Sequence, residues 1–140
     1  MRILLDTNIL VAGLLSPRGV PGRLVRAWLR GGFELVTSRE QLDELARVLS
    51  YERIAARIDP VQARDFLENI DVLAVLATDL PLLELSPDPP DNVILATAVA
   101  GRADAVVSGD RAGVLALGEV EGIPILAARE ALERLGLAGE

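Results

Sequence analysis

Short aliphatic runs recur along the chain at 3–5, 33–36, 72–76, 105–107 and 123–126, with helix-patterned stretches between them. Runs this short, without polar alternation, read as strands buried on both faces. Strands that alternate with helices are joined by crossovers, so the expected fold is α/β: a three-layer sandwich with a central parallel sheet. In such a sheet the strands' C-terminal ends share one edge, and ligands bind beyond it. The first run shows what stands there, because Ile3, Leu4 and Leu5 break directly into Asp6, Thr7 and Asn8. Taken alone, Asp6 reads equally well as the cap of the helix that follows, Asp being among the best capping residues.

The helical stretches carry their own signals. Ile9 to Leu15 is followed by a loop of Ser16, Pro17, Arg18 and Gly19, and Pro21 suits the first turn of a second helix. On that helix Leu24, Val25, Trp28 and Leu29 form one face, while Arg23, Arg26 and Arg30 form another. The arginine row is either a solvated face or a phosphate-facing patch. Trp28 shares the apolar face and belongs to the core. Ser38 with Gln41 makes a capping-box signature for a helix through about Leu49. Its stripe of Leu42, Leu45, Ala46 and Leu49 leaves Glu44 opposite, as plain surface or as the wall of a cleft. Two short helices are expected over 51–58 and 61–70, then a strand over 72–76. A proline-rich connector ends in Asp88-Pro89-Pro90-Asp91-Asn92, and the helix from Val93 to Ala100 is apolar nearly all round, hence buried. Ser108-Gly109-Asp110 follows the strand at 105–107. Pro124 marks the last strand as a sheet edge, and a helix over 128–135 completes the pattern.

At 140 residues the chain is expected to form one domain over 1–140, and a hydrophobic content of 51% excludes disorder. No apolar run nears the length of a membrane span, and no charged lead-in precedes an apolar leader, so a cytoplasmic protein is expected. The absence of Cys and His removes disulfides, thiolate nucleophiles, Ser-His triads and the usual zinc ligands. All 14 basic residues are arginine, which excludes P-loop and Schiff-base chemistry and receiver-type phosphorylation. The net charge of −7 argues against a broad electrostatic footprint for nucleic acid, so such a partner needs a local arginine patch.

Four carboxylates then fall on one edge. Asp6 and Asp110 end strands there, Asp91 opens a helix there, and Glu44 can face inward from near the start of its own helix. Carboxylates brought together repel, and a divalent cation such as Mg²⁺ or Mn²⁺, which prefers oxygen ligands and keeps waters, relieves this. Asp104 precedes its strand and belongs to the opposite edge, and Asp43 points about 100° away from Glu44.

Asp6-Thr7-Asn8 after an N-terminal strand, Glu44-Leu45 on a Ser-initiated helix, Asp88-Pro89-Pro90-Asp91-Asn92 before an apolar helix and Ser108-Gly109-Asp110 after a strand together resemble the PIN domain family. The resemblance covers essentially the whole chain and is nearest the VapC-like subgroup of toxins from toxin–antitoxin pairs. It implies strand order 3-2-1-4-5, metal-dependent ribonuclease activity and dimers. It implies that Asp6, Glu44, Asp91 and Asp110 match the acidic quartet, with Asn8 and Ser108 supporting the site and Asp88 a peripheral ligand. Pro90 departs from the pattern, standing where many members carry a polar residue. On this reading Asp6, Asp91 and Asp110 hold one Mg²⁺ (or Mn²⁺), Glu44 orients water or helps hold a second ion, and Arg18, Arg23 or Arg26 contacts the RNA backbone. The expected partners are an RNA substrate, an antitoxin protein and a second copy in a homodimer. Two rivals remain at this point: an aspartyl-nucleophile phosphatase, which needs an Asp where Asn8 stands, and a catalytically inactive PIN-like module that binds RNA or an antitoxin.

Overall fold

In the computed structural model, which describes residues 1–137, β1 (Arg2–Leu5) is the hub of the sheet. It pairs in parallel with β2 (Glu34–Ser38) on one side and with β4 (Ala105–Val107) on the other. Outside these lie β3 (Val75–Ala77), parallel to β2, and β6 (Ile123–Leu126), parallel to β4. A two-residue β5 (Glu119–Val120) runs antiparallel to β6, giving the order β3-β2-β1-β4-β6-β5. The five expected strands thus stand in the expected order, and β5 is an addition.

Pro124 is therefore not on the sheet edge: it stands opposite Glu119 of β5. The hairpin between these strands turns over Glu121 and Gly122, both with positive φ (47° and 81°). That is the geometry of a type I′ turn, whose twist matches the strands it joins. A Glu-Gly pair between runs of two residues is a weak sequence signal for such a turn.

Alternation along the strands divides the core in two. Ile3 and Leu5, with Leu35, Ala105, Val107 and Leu126, face a layer built from α1 (Thr7–Leu15), α2 (Val20–Leu29), α3 (Arg39–Leu49), α5 (Pro60–Leu73) and α7 (Ala128–Arg134). Between α3 and α5 lies one turn of helix, α4 (Glu52–Ala55). Leu4, Val36, Val106 and Ile125 face the other way, onto Ile94, Leu95 and Ala98 of α6 (Pro89–Ala100). Among the described residues α6 is the only helix on that face longer than the 3-10 turn at Val114–Leu117. This explains why α6 is apolar all round, with its inward residues on the sheet and Ala96 and Thr97 also buried.

The strand expected over 72–76 begins only at Val75. Val72 and Leu73 complete α5 instead and lie 78% and 60% exposed. The apolar run misleads because its first two residues sit on the outer face of a helix whose buried side is carried by Phe66 and Ile70. Among the described residues no helix is long and apolar enough to cross a membrane.

Candidate active site

Where β1 gives way to α1, the chain is pinned on both sides of Asp6. Its backbone N–H donates to the Val107 carbonyl (2.8 Å), and its Oδ1 caps α1 by accepting from the Thr7 N–H (2.8 Å). Oδ2 accepts from the buried Ser108 hydroxyl (2.8 Å) just past β4. Asp6 is thus a helix cap, as its position allows, and also the centre of the strand-end cluster. It is only 7% exposed, and burial raises its pKa to about 6. The Ser108 and Thr7 hydrogen bonds oppose that rise, while the negative charges of Glu44 and Asp91 add to it.

Two of the other three acids, Glu44 and Asp110, reach Asp6 through short relays. Glu44, half-buried on α3, accepts a hydrogen bond from the Thr7 hydroxyl. It therefore forms the wall of a cleft that also takes in Gln41, Arg47 and Pro90. Asp110 accepts from the Ala112 and Gly113 N–H groups (3.2 and 3.0 Å), and its own N–H donates to Ser108 Oγ (3.2 Å). One hydroxyl thereby joins the ends of β1 and β4.

Asp91, in the first turn of α6, accepts from the Ser86 hydroxyl (3.0 Å). Burial raises its pKa and the Ser86 bond opposes this, with the charges of Asp88 and Asp110 raising it further. Asp88 is exposed at the mouth of a cavity of about 290 Å³ that Asp91 and Asp110 share. The exposed Asn8 accepts from the Gly109 N–H at 3.4 Å, a long bond that steadies the β4 loop.

Three contributors were not singled out as site residues from sequence. Thr7 holds Glu44, and Asn92 staples the preceding loop by accepting from the Leu85 and Ser86 N–H groups (3.0 and 2.8 Å) and donating to the Ser86 carbonyl (2.8 Å). Gly113 is the third. A Cβ there would lie 2.4 Å from Asp110 Oδ2 and 3.2 Å from Asp91 Oδ2, so both carboxylates crowd the space that the missing side chain leaves. The Asx staple could have been suspected from the Ser86 to Asn92 spacing, but nothing in the sequence marks Gly113.

The arginines are placed differently from expectation. Arg18, Arg23 and Arg26 gather with Arg30 around a separate cavity that no strand-end acid lines. Its walls include Gly31 and Gly32, which lead into the N-terminal end of β2, so it opens at the opposite edge of the sheet. The helix α2 begins and ends away from the carboxylates, and its row of side chains follows it.

The oxygen-only donor set suits a hard divalent cation. Among the described residues no three acidic side chains converge closely enough to cage one ion. Mg²⁺ does not require that, since it commonly takes one or two carboxylates and keeps its waters. Burial is the main cause of the raised pKa of Asp6 and Asp91, and a cation would offset both that desolvation and the neighbouring negative charges that add to it, so the residues fit one.

Ser108 gives a direct check on these electrostatics. In metal-free Ser108→Ala, the Asp6 carboxyl should titrate above the wild-type value of about 6, with roughly tenfold higher proton affinity for one lost charge-assisted bond. Carbon-detected NMR titration of the Asp side chains reads this. An unchanged midpoint would mean that the Ser108 hydroxyl does not serve Asp6.

A family model described as PIN domain matches residues 2–112, a span that contains all four acids. No curated protein matches the chain.

Proposed function

The chain belongs to the PIN domain family, whose members are usually metal-dependent nucleases, and from that premise we propose that it is a metal-dependent endoribonuclease cutting single-stranded or structured RNA, the toxin of a toxin–antitoxin pair. One PIN-like nuclease domain over residues 1–140, working in the cytoplasm as a homodimer and restrained by an antitoxin, completes the reading. The observation that carries it is the gathering of Asp6, Glu44, Asp91 and Asp110 at the C-terminal edge of the sheet, through the Thr7 and Ser108 hydroxyls and the gap at Gly113.

On this reading Asp91 and Asp110, which meet at Gly113, would hold Mg²⁺ or Mn²⁺ together with Asp6. When bound, such an ion supplies positive charge against the phosphoryl oxygens and makes water more acidic. The chain's own groups do the rest. Ser108 keeps the Asp6 carboxylate aimed at the edge, and Thr7 fixes the Glu44 oxygen that would orient the attacking water. Without histidine, no side chain other than these carboxylates is suited to accept its proton near neutral pH. In-line displacement would leave a 5′-phosphate and a 3′-hydroxyl.

The inactive binding module draws on one observation, the lack of a closed cage of three acids among the described residues. Incubation of a labelled single-stranded RNA pool separates the two readings. Cutting is expected with Mn²⁺ or Mg²⁺, none with EDTA, and a loss of roughly 10²-fold or more in Asp91→Asn. RNA left intact by a protein that still binds metal would favour the module.

A further inference from the structure

The four arginines set around one cavity are out of keeping with a chain of net charge −7. The cavity measures about 620 Å³, and among the described residues no acidic side chain lines it. None of the three ion pairs among those residues uses Arg18, Arg23, Arg26 or Arg30. Two of the four are nonetheless held in place. Arg23 donates to the Leu137 carbonyl (2.9 Å) and Arg26 to the Pro17 carbonyl (2.7 Å). Neutral carbonyls fix these guanidinium groups, and no acidic side chain among the described residues compensates their charge. Like charges gathered this way favour an anion, and the planar guanidinium fork matches phosphate.

We propose that this cavity is an RNA exosite, where phosphates of a bound strand are held away from the carboxylate edge; this rests on the ribonuclease reading. Arg23, Arg26 and Arg30 lie along α2 over about 10 Å of helix. Their axial steps of ~4.5 and ~6 Å match the repeat of phosphates along an extended single strand, so a regularly charged chain suits the row better than a single carboxylate. Gly31, Gly32 and Ala27 leave the wall bare enough for a backbone to approach. Among the described residues no aromatic side chain lines the cavity, so the exosite reads phosphates rather than bases and is indifferent to sequence. The two sites lie on opposite edges of the sheet, so only a strand long enough to pass over the helical layer reaches both.

The experiment is fluorescence anisotropy of a labelled single-stranded RNA of about 20 nucleotides in EDTA, between ~50 and ~200 mM salt. Wild type is compared with Arg18→Gln/Arg30→Gln, two positions that make no side-chain hydrogen bond among the described residues. Thermal melting checks that the variant is folded. The variant is expected to bind about tenfold more weakly, with a log–log salt slope shallower by about 1.4 for two phosphates released. Unchanged affinity and slope would overturn the exosite. So would wild-type protein that binds poly-glutamate more tightly than RNA, which would assign the cavity to an acidic protein partner. Because binding is read without metal, this failure is distinct from failure of the nuclease reading, which shows as RNA left intact by wild type in Mg²⁺ or Mn²⁺.

Discussion

Asp6→Asn should melt higher than wild type in metal-free buffer at pH 8 while losing hydrolytic activity. The Asp6 pKa is raised from 3.8 to about 6 in the folded protein. Between those values the folded state binds more protons than the unfolded state, so stability falls as pH rises through that window. Below pH ~4 there is no cost. Above pH ~6 the full cost of an ionised buried carboxylate is present, about 3 kcal/mol at 1.36 kcal/mol per pH unit. Asn has nearly the same shape, keeps an acceptor for the Thr7 N–H and carries no charge, while its NH2 turns the Ser108 hydroxyl from donor to acceptor, which offsets up to about 1 kcal/mol of the gain. The variant should therefore gain about 2–3 kcal/mol at pH 8, a rise of roughly 5–10 °C in Tm, with the gain fading toward pH 4. Hydrolysis should fall by roughly 10²–10³-fold, and added Mg²⁺ should raise the Tm of wild type but not of the variant. Melting curves at pH 4 and pH 8, with and without metal, test all of this. A variant less stable than wild type at pH 8 would mean that Asp6 serves chiefly as a cap.

Among the described glycines, Gly22→Ala should be the most damaging substitution. A Cβ at Gly22 would lie 2.2 Å from the Pro17 carbonyl oxygen, 2.5 Å from its carbon and 2.6 Å from Pro17 Cα. These are backbone atoms in a loop held by the Gly19 N–H to Ser16 carbonyl bond (3.0 Å) and by Arg26. Neither side can yield without moving α2 off α1, so a loss of about 3 kcal/mol or more is expected, with a Tm lower by roughly 10 °C. Gly31→Ala is the control. Gly31 has φ of +84° but nothing within 4 Å of the added Cβ, so only backbone strain of about 1 kcal/mol applies. Equal losses in the two variants, measured by urea titration, would show that the tight approach at Pro17 is relieved cheaply.

The sheet was legible because burial on both faces leaves unbroken aliphatic runs, and Ile3, Leu4 and Leu5 parting to opposite layers is that signal realised. The four acids were legible for a related reason. Parallel strands fix which edge each C-terminal end occupies, so Asp6 and Asp110 needed no long-range information. What the sequence hid depends on approach between distant segments. Thr7 meeting Glu44, and Gly113 making room for Asp91 and Asp110, follow from how α1, α3 and α6 dock, which no local pattern encodes. The arginine row was visible as a helix face, but its edge of the sheet depends on the direction in which α2 crosses α1. At Val72 the difficulty was that an exposed aliphatic pair ending a helix has the same composition as a buried strand.

That α6 is the lone long helix over the second face among the described residues has a dynamic consequence. Asp91, in the first turn of α6, belongs to the candidate site, while Ile94, Leu95 and Ala98 one turn or two further on carry the apolar contacts of that layer. Any lifting of α6 would therefore displace the carboxylate and wet the underside of β1 together. On the proposed metal-dependent reading, native-state hydrogen exchange of the Leu4 and Val36 amides should slow when Mg²⁺ is added, and unchanged exchange would separate Asp91 from any ion.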